Sequence, residues 1–254
     1  MARGPHPEDA AAFAPSACGV LVRAAEEVCW LLGRGWSLGT AIQAVGNHHQ
    51  LVQRQRVALT RGCCAPDTAQ GRRARERIEP ATPGELWVEP AAPGELWVEP
   101  GELWIDGFNA VITVEVALAG GPLVRGVDGV LRDLAGLRGS YRLVEQTARA
   151  IDELHRALSS MRPTGVHWLL DRPVSNSGRL REALEARAAR EAWTSTFALV
   201  ADADQELYDK PLVVTGDAVI LDRCPAWSNL VSTTVERSIP DAWVVDLLPS
   251  GPRA

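Results

Sequence analysis

Three short stretches end an apolar run in aspartate: "WID" at 104–106, "WLLD" at 168–171 and "VVTGD" at 213–217. Short apolar runs bounded by turn residues read as buried strands, so Asp106, Asp171 and Asp217 each stand at a strand tip. In an open α/β sheet, ligands bind outside the carboxyl ends of the strands, near a reversal of strand order. Carboxylates on several tips therefore converge on one pocket. Like charges held so close cannot all stay ionised without cations, and hard oxygen donors select Mg²⁺ or Mn²⁺. Such an ion lowers the pKa of bound water and offsets charge developing on a phosphodiester oxygen. One aspartate in a turn after a strand is ordinary. Three at equivalent positions carry the argument.

Other chemistries find less support in the residue pattern. The chain has no Gly-x-Ser-x-Gly elbow and no P-loop, and neither His155 nor His167 has an evident Ser or Cys partner. Tryptophans such as Trp168, Trp193, Trp227 and Trp243 sit in core-like runs and read as packing. The five cysteines are odd in number and lack Cys-x-x-Cys spacing, which points to free thiols in a reducing cytoplasm. A zinc site built from His48, His49, Cys63 and Cys64 is disfavoured, because two pairs of sequence neighbours make a poor tetrahedral set.

The elements that must position the aspartates begin at Leu103, where strands and helices start to alternate. "LWID", "GVHWLLD", "STFALVAD", "PLVVTGD" and "AWVVDLL" read as strands, "RLVEQTARAIDELHRALSSM" as an amphipathic helix, and "SGRLREALEARAAREA" as a helix capped by Ser177. "NAVITVEVALAGG" is rich in β-branched residues, and propensity leaves helix and strand both open. Strands separated by helices imply an α/β fold with a parallel sheet flanked by helices; this domain is placed at residues 101–249.

Upstream, residues 1–16 are rich in Pro and Ala and are expected to be disordered. Residues 17–65 read as a small all-helical module of three short helices, with Arg54 and Arg56 in "QRQR" on the last. Residues 66–100 read as a linker. It holds the Arg run "GRRARER" and two copies of "GELWVEP", at 84–90 and 94–100, before a third, altered copy, "GELWIDGFN". Two copies and a remnant are too few for a solenoid, and Pro90 and Pro100 break any continuing strand. Only the third copy places an acid and a glycine at a strand tip.

Charge is unevenly spread. From Val20 to Arg77 nine arginines face four acids, a balance of +5; from Gly101 to the end 16 basic residues face 21 acids, a balance of −5. A basic module before an acidic domain suits a polyanionic partner whose reacting site is neutralised by metal ions. No uncharged apolar run reaches membrane-spanning length, and the N-terminus does not read as a secretion signal. The expected location is the cytoplasm, without a membrane partner.

"IDGFNAVI" resembles the opening motif of the PIN and NYN nucleases, a strand ending in Asp-Gly-x-Asn before the first helix. "VVTGDAVILD" is similar to their later strand with its Thr/Ser-x-Asp turn and second acid. Together with "LDRPVSNSGRL", these blocks resemble an uncharacterised bacterial and archaeal family with a helical N-terminal part and a PIN-like C-terminal half, over about residues 20–65 and 103–245. The resemblance implies a divalent-metal nuclease, usually acting on RNA. It makes Asp106 the first metal ligand, Asn109 the residue bracing it, Asp171 and Asp217 the later acids and Asp222 a fourth. The Ser/Asn-rich loop departs from the PIN pattern; there Ser175 and Asn176 could hold a phosphate beside a helix N-terminus. Arg132, in the Gly-rich stretch 125–142, could reach a phosphate backbone from a mobile loop, as could Arg54 and Arg56 from the basic module.

The expectation is a metal-dependent (endo)ribonuclease using Mg²⁺ or Mn²⁺ on Asp106, Asp171 and Asp217, with a homodimer left open. Two alternatives stand beside it: a catalytically weak nucleic-acid-binding adaptor, and a metal-dependent phosphatase acting on a small metabolite.

Overall fold

The computed structural model describes residues 3–77, 87–88, 97–98, 101–136, 139–190 and 193–248. Five helices come first: α1 (Asp9–Ala12), α2 (Pro15–Leu32), α3 (Leu38–His48), α4 (Gln53–Gly62) and α5 (Pro66–Ala74). Strands β1 (Glu76–Arg77), β2 (Trp87–Val88), β3 (Trp97–Val98) and β4 (Glu102–Asp106) follow, then α6 (Gly107–Leu118), β5 (Leu123–Arg125) and β6 (Leu131–Asp133). The chain continues through α7 (Gln146–Met161), β7 (Gly165–Asp171), α8 (Ser177–Ala188), β8 (Thr194–Val200) and α9 (Ala203–Leu207). It ends with β9 (Val213–Val214), α10 (Ala218–Arg223), β10 (Trp227–Ser228), α11 (Leu230–Ser238) and β11 (Val244–Asp246).

The main sheet has six parallel strands in the order β1-β10-β9-β4-β7-β8, flanked by helices. Alternation sorts its side chains to two faces. Leu103, Ile105, Val166, Trp168, Leu170 and Val214 point into a core shared with α6, α7, α8 and α11. Trp104, Leu169, Val213 and Trp227 point the other way, towards α9 and α10. Asp106 pairs in register with Leu169, and Asp171 lies two residues beyond Leu169. Both aspartates therefore leave the sheet on the α9/α10 side. From β4 the chain adds β7 and β8 on one side, then returns to add β9 and β10 on the other. Strand order thus reverses between β4 and β9, the place where α/β sheets open a ligand crevice.

The segment that propensity left open, 109–121, is helical through Leu118. In α6 ten of twelve residues are buried, and a helix apolar on all sides belongs in a core, where packing overrides the β-branched preference. It ends at Leu118, and Gly120 two residues on, with a φ of +71° that suits glycine, turns the chain away.

Several expectations are corrected. Ser177 is the first residue of α8 rather than its cap; Asn176 holds the capping position, in a left-handed conformation (φ 60°). "AWVVDLL" does not join the main sheet. Its strand β11 pairs parallel to β5, and β5 pairs antiparallel to β6, forming a separate three-stranded sheet. The supposed loop 125–142 thus contributes strand structure through Asp133. The helices before residue 65 pack on this small sheet, since Leu21, Val28, Val45 and Leu59 share a core with Val124, Val245 and Leu247. The helical region is continuous with the rest of the fold rather than a detached module.

Residues before 17 are ordered by burial. Asp9 is fully buried, Arg3 is buried against Glu115 at 2.5 Å, and Phe13 packs edge-on against Trp243. The expected linker begins instead as helix α5 and strand β1, which extends the main sheet. Trp87–Val88 and Trp97–Val98, from the first two copies of the repeated phrase, pair antiparallel with each other. Only the third copy, as β4, enters the main sheet.

Candidate active site

Asp106 ends β4 and begins α6 in one step. Its Oδ1 accepts from the Asn109 backbone N–H at 3.4 Å, capping the helix, and a carboxylate there faces the positive end of the helix dipole. Gly107 is required by close packing: a Cβ there would lie 2.5 Å from Leu170 Cδ2 and 3.0 Å from the Leu169 carbonyl. The Asp-Gly step thus lets the first turn of α6 press onto β7 directly behind the carboxylate.

The turn after β9 completes this side of the crevice. Thr215 Oγ1 donates to Asp106 Oδ2 at 2.8 Å and accepts from the Asp217 backbone N–H at 3.0 Å. Asn109 Oδ1 accepts from the Gly216 N–H at 2.6 Å. Asp217 caps α10 by accepting from Val219 N–H at 2.7 Å. Two strands on either side of the order reversal are thereby tied together through Asn109 and Thr215.

Asp171, at the tip of β7, accepts from the Ala203 N–H at 2.8 Å, anchoring the start of α9. The next residue of α9 is Asp204. Burial pushes its carboxyl up to about 6, reinforced by the negative charges of Asp217, Asp171 and Asp202. Asp106 is only 6% exposed. Burial raises it to about 7, with Asp204 and Asp217 adding to the rise and the Thr215 hydrogen bond opposing it. Four aspartates from four strand ends thus share one field, and a cation there would relieve both desolvation and repulsion.

The donor set fits a hard divalent ion, because every group offered is a carboxylate or hydroxyl oxygen. The spacing is loose: among the described residues, no three of these acids bring one oxygen each within 4.8 Å of one another. That suits Mg²⁺ or Mn²⁺ held through one or two carboxylates with water filling its remaining positions.

Asp106, Asp171, Asp217 and Asn109 are therefore brought together, as the strand-tip reading required. Asp222 is not with them: it accepts from Arg72 Nε at 2.7 Å on the far side of α10. Arg132 is buried, spending its guanidinium on both oxygens of Asp128 and on the Gly216 carbonyl, so it braces the Asp217 turn from behind. Arg54 pairs with the buried Asp9 at 2.5 Å, and Arg56 bonds the Leu51 carbonyl and Asn47. These three arginines serve the fold. Arg138, in the same Gly-rich stretch as Arg132, lies outside the described residues. Ser175 and Asn176 bond the backbone of Tyr141, fixing the loop after β7.

That loop nevertheless borders a basic cavity of about 350 Å³, lined by Arg142, Leu143, Asn176 and Arg179. Neither Arg142 nor Arg179 uses its guanidinium in an ion pair or hydrogen bond among the described residues. Arg142 closes the Gly-rich stretch 125–142 from which a contact to phosphate was expected, and Thr215 belongs to the Thr-x-Asp turn; residue-pattern reasoning missed Arg179 and Asp204. Asp204 was findable: it lies two residues past the strand-like run "STFALVAD", within the acid-rich "ADADQELYD". Arg179 had no local signal.

Residues 98–233 match a family model described as "Domain of unknown function (DUF5616)", and residues 20–75 match one described as "Protein of unknown function (DUF434)". The two matches give the chain a two-part organisation. An uncharacterised protein of Methanocaldococcus jannaschii is 25% identical over 199 residues, covering 78% of this chain and 88% of its own length. No solved structure matches the chain. No helix among the described residues is long and apolar enough to cross a membrane.

Proposed function

The chain belongs to the family described as Domain of unknown function (DUF5616), and from the aspartates gathered in that region we propose that it is a PIN-like, metal-dependent nuclease that hydrolyses phosphodiester bonds in RNA. The observation that carries the reading is the convergence of Asp106, Asp171, Asp204 and Asp217 at the reversal of strand order. The choice of RNA rests on the resemblance of "IDGFNAVI" and "VVTGDAVILD" to PIN and NYN motifs. The proposed place of action is the cytoplasm.

One or two of Asp106, Asp171, Asp204 and Asp217 would hold Mg²⁺ or Mn²⁺ directly and the others through its water, and the ion would supply a water of lowered pKa and neutralise charge at the phosphoryl group. Thr215 fixes which oxygen of Asp106 faces the pocket by donating to the other. Asn109 and Arg132 hold the Asp217 turn from opposite sides through Gly216. Arg142 and Arg179, at the mouth of the loop after β7, offer unpaired guanidinium groups to the phosphates of a bound strand. An arginine-lined approach also favours a polyanion over a small metabolite.

The test incubates purified full-length protein with mixed RNA and DNA in Mn²⁺ and in chelator. Cleavage of RNA should require the metal. Asp106→Asn and Asp217→Asn should each lower the rate by about two orders of magnitude or more, the scale on which loss of one charge-stabilising group acts. Wild-type rates in both variants, or no cleavage with metal, would leave a binding or adaptor role as the better account.

A further inference from the structure

A second constellation lies away from the aspartates, in the helical region. Glu27 on α2, His48 at the end of α3 and His49 just beyond it each offer one ligand atom, and these three atoms lie within 4.8 Å of one another. His49 Nε2 is 3.0 Å from Glu27 Oε1. The imidazole rings of His48 and His49 stand edge to face, with centroids 4.8 Å apart.

Sequence neighbours within a helix point about 100° apart and seldom share one ligand. Here the helix stops between them. His48 is the last residue of α3, His49 is its cap, and Gln50 has a φ of +53°. The departing chain turns His49 towards the same point that His48 faces. Glu27 reaches that point from the antiparallel neighbour α2. We propose that Glu27, His48 and His49 form a binding site for Zn²⁺ or a similar borderline divalent ion, with the fourth position open to water.

The donor chemistry separates this site from the carboxylate pocket. Two imidazole nitrogens and one carboxylate oxygen suit zinc, whereas an all-oxygen set suits magnesium. Zinc bonds of about 2.0–2.1 Å in a tetrahedron place donors roughly 3.4 Å apart. A separation of 3.0 Å for one pair, with all three atoms within 4.8 Å, needs side-chain movements of about an ångström. Glu27 is half-exposed and His49 has 14% of its side chain accessible, so the ion has a path from solvent. Once bound, it would staple α2 to the end of α3, reinforcing the Glu27–His49 hydrogen bond and the apolar packing that already join them.

Cobalt titration of the tag-free full-length chain tests the proposal, with Co²⁺ as a spectroscopic substitute for Zn²⁺. One equivalent should give tetrahedral visible absorption that Zn²⁺ displaces. The His48→Ala/His49→Ala double variant should lose it, and Glu27→Gln, which keeps the shape of the side chain, should weaken binding by about tenfold or more. The three residues lie at the surface end of the helices, so circular dichroism should show unchanged folding. Three results would each overturn the site: undiminished binding in the double variant, intense thiolate-to-metal absorption placing the ion on Cys29, Cys63 and Cys64, or loss of the signal in Asp106→Asn alone.

Discussion

Replacing Asp106 by Asn should stabilise the metal-free protein at alkaline pH and destabilise it slightly in acid. The folded-state pKa of Asp106 is raised from 3.8 to about 7, chiefly by burial. Below about pH 4 the carboxyl is protonated in both folded and unfolded chains, and the site costs nothing. As pH rises from 4 to 7 the unfolded chain releases its proton while the folded chain retains it, so stability falls. Above pH 7 the loss is complete. A span of about three pH units at about 1.4 kcal/mol each gives about 4 kcal/mol as an upper value. Asn removes that cost but disturbs the pairing with Thr215, whose hydroxyl must then accept from the amide as well as from Asp217 N–H. One weakened neutral hydrogen bond costs about 1 kcal/mol. The expected net change is a gain of about 3 kcal/mol at pH 8 and a loss of about 1 kcal/mol at pH 4. Urea unfolding in chelator at both pH values measures it, the variant having the flatter profile. Added Mg²⁺ should stabilise wild type and not the variant. A variant less stable than wild type at pH 8, or one with the same pH profile, would refute the electrostatic reasoning.

Changing Arg142 and Arg179 to Ala should flatten the log–log salt dependence of RNA binding by about 0.7 per lost contact on a single strand, measured by fluorescence anisotropy at several salt concentrations; an unchanged slope would remove them from the binding face. Arg72 pairs at 2.6 Å with the buried Asp128 and at 2.7 Å with Asp222. Arg72→Met should therefore cost about 3–5 kcal/mol in urea unfolding. The neighbouring guanidinium groups hold the Asp128 carboxyl down to about 2 against burial. Its stabilisation is present above about pH 4 and lost as pH falls towards 2, so the variant should unfold at a higher pH on acidification. Excising one ten-residue copy of the repeated phrase should leave melting temperature and cleavage unchanged. Removing residues 81–100 entirely should lower the melting temperature, because four residues would then have to bridge three strand spacings and three residues of rise. That is about 17 Å, close to full extension of the chain.

The strand tips were legible because their signal is local. An apolar run ending in aspartate needs only its neighbours to be recognised, and period-two alternation already places Asp106 and Asp171 on a definite face of their strands. The repeated phrase was legible for the same reason, since Pro90 and Pro100 stop a strand where Ile105-Asp106-Gly107 continues into a helix. What each charge does was decided only in three dimensions. Arg54, Arg72 and Arg132 look alike in sequence to Arg142 and Arg179. The first three meet buried carboxylates brought from 45, 56 and 4 residues away, and the last two meet none. A charge enters the interior only where a partner already waits, because desolvation must be matched by pairing. For Arg54 and Arg72 that partner comes from long-range packing, which periodicity does not encode; for Arg132 it lies four residues back, and only the fold buries the pair. The same holds for Asp222, drawn to Arg72 across α10, and for α6, whose β-branched residues accept a helix because burial on every side outweighs propensity. Convergence of Glu27 with His48 and His49 also depends on where α3 stops against α2, a tertiary fact with no mark in the residue order.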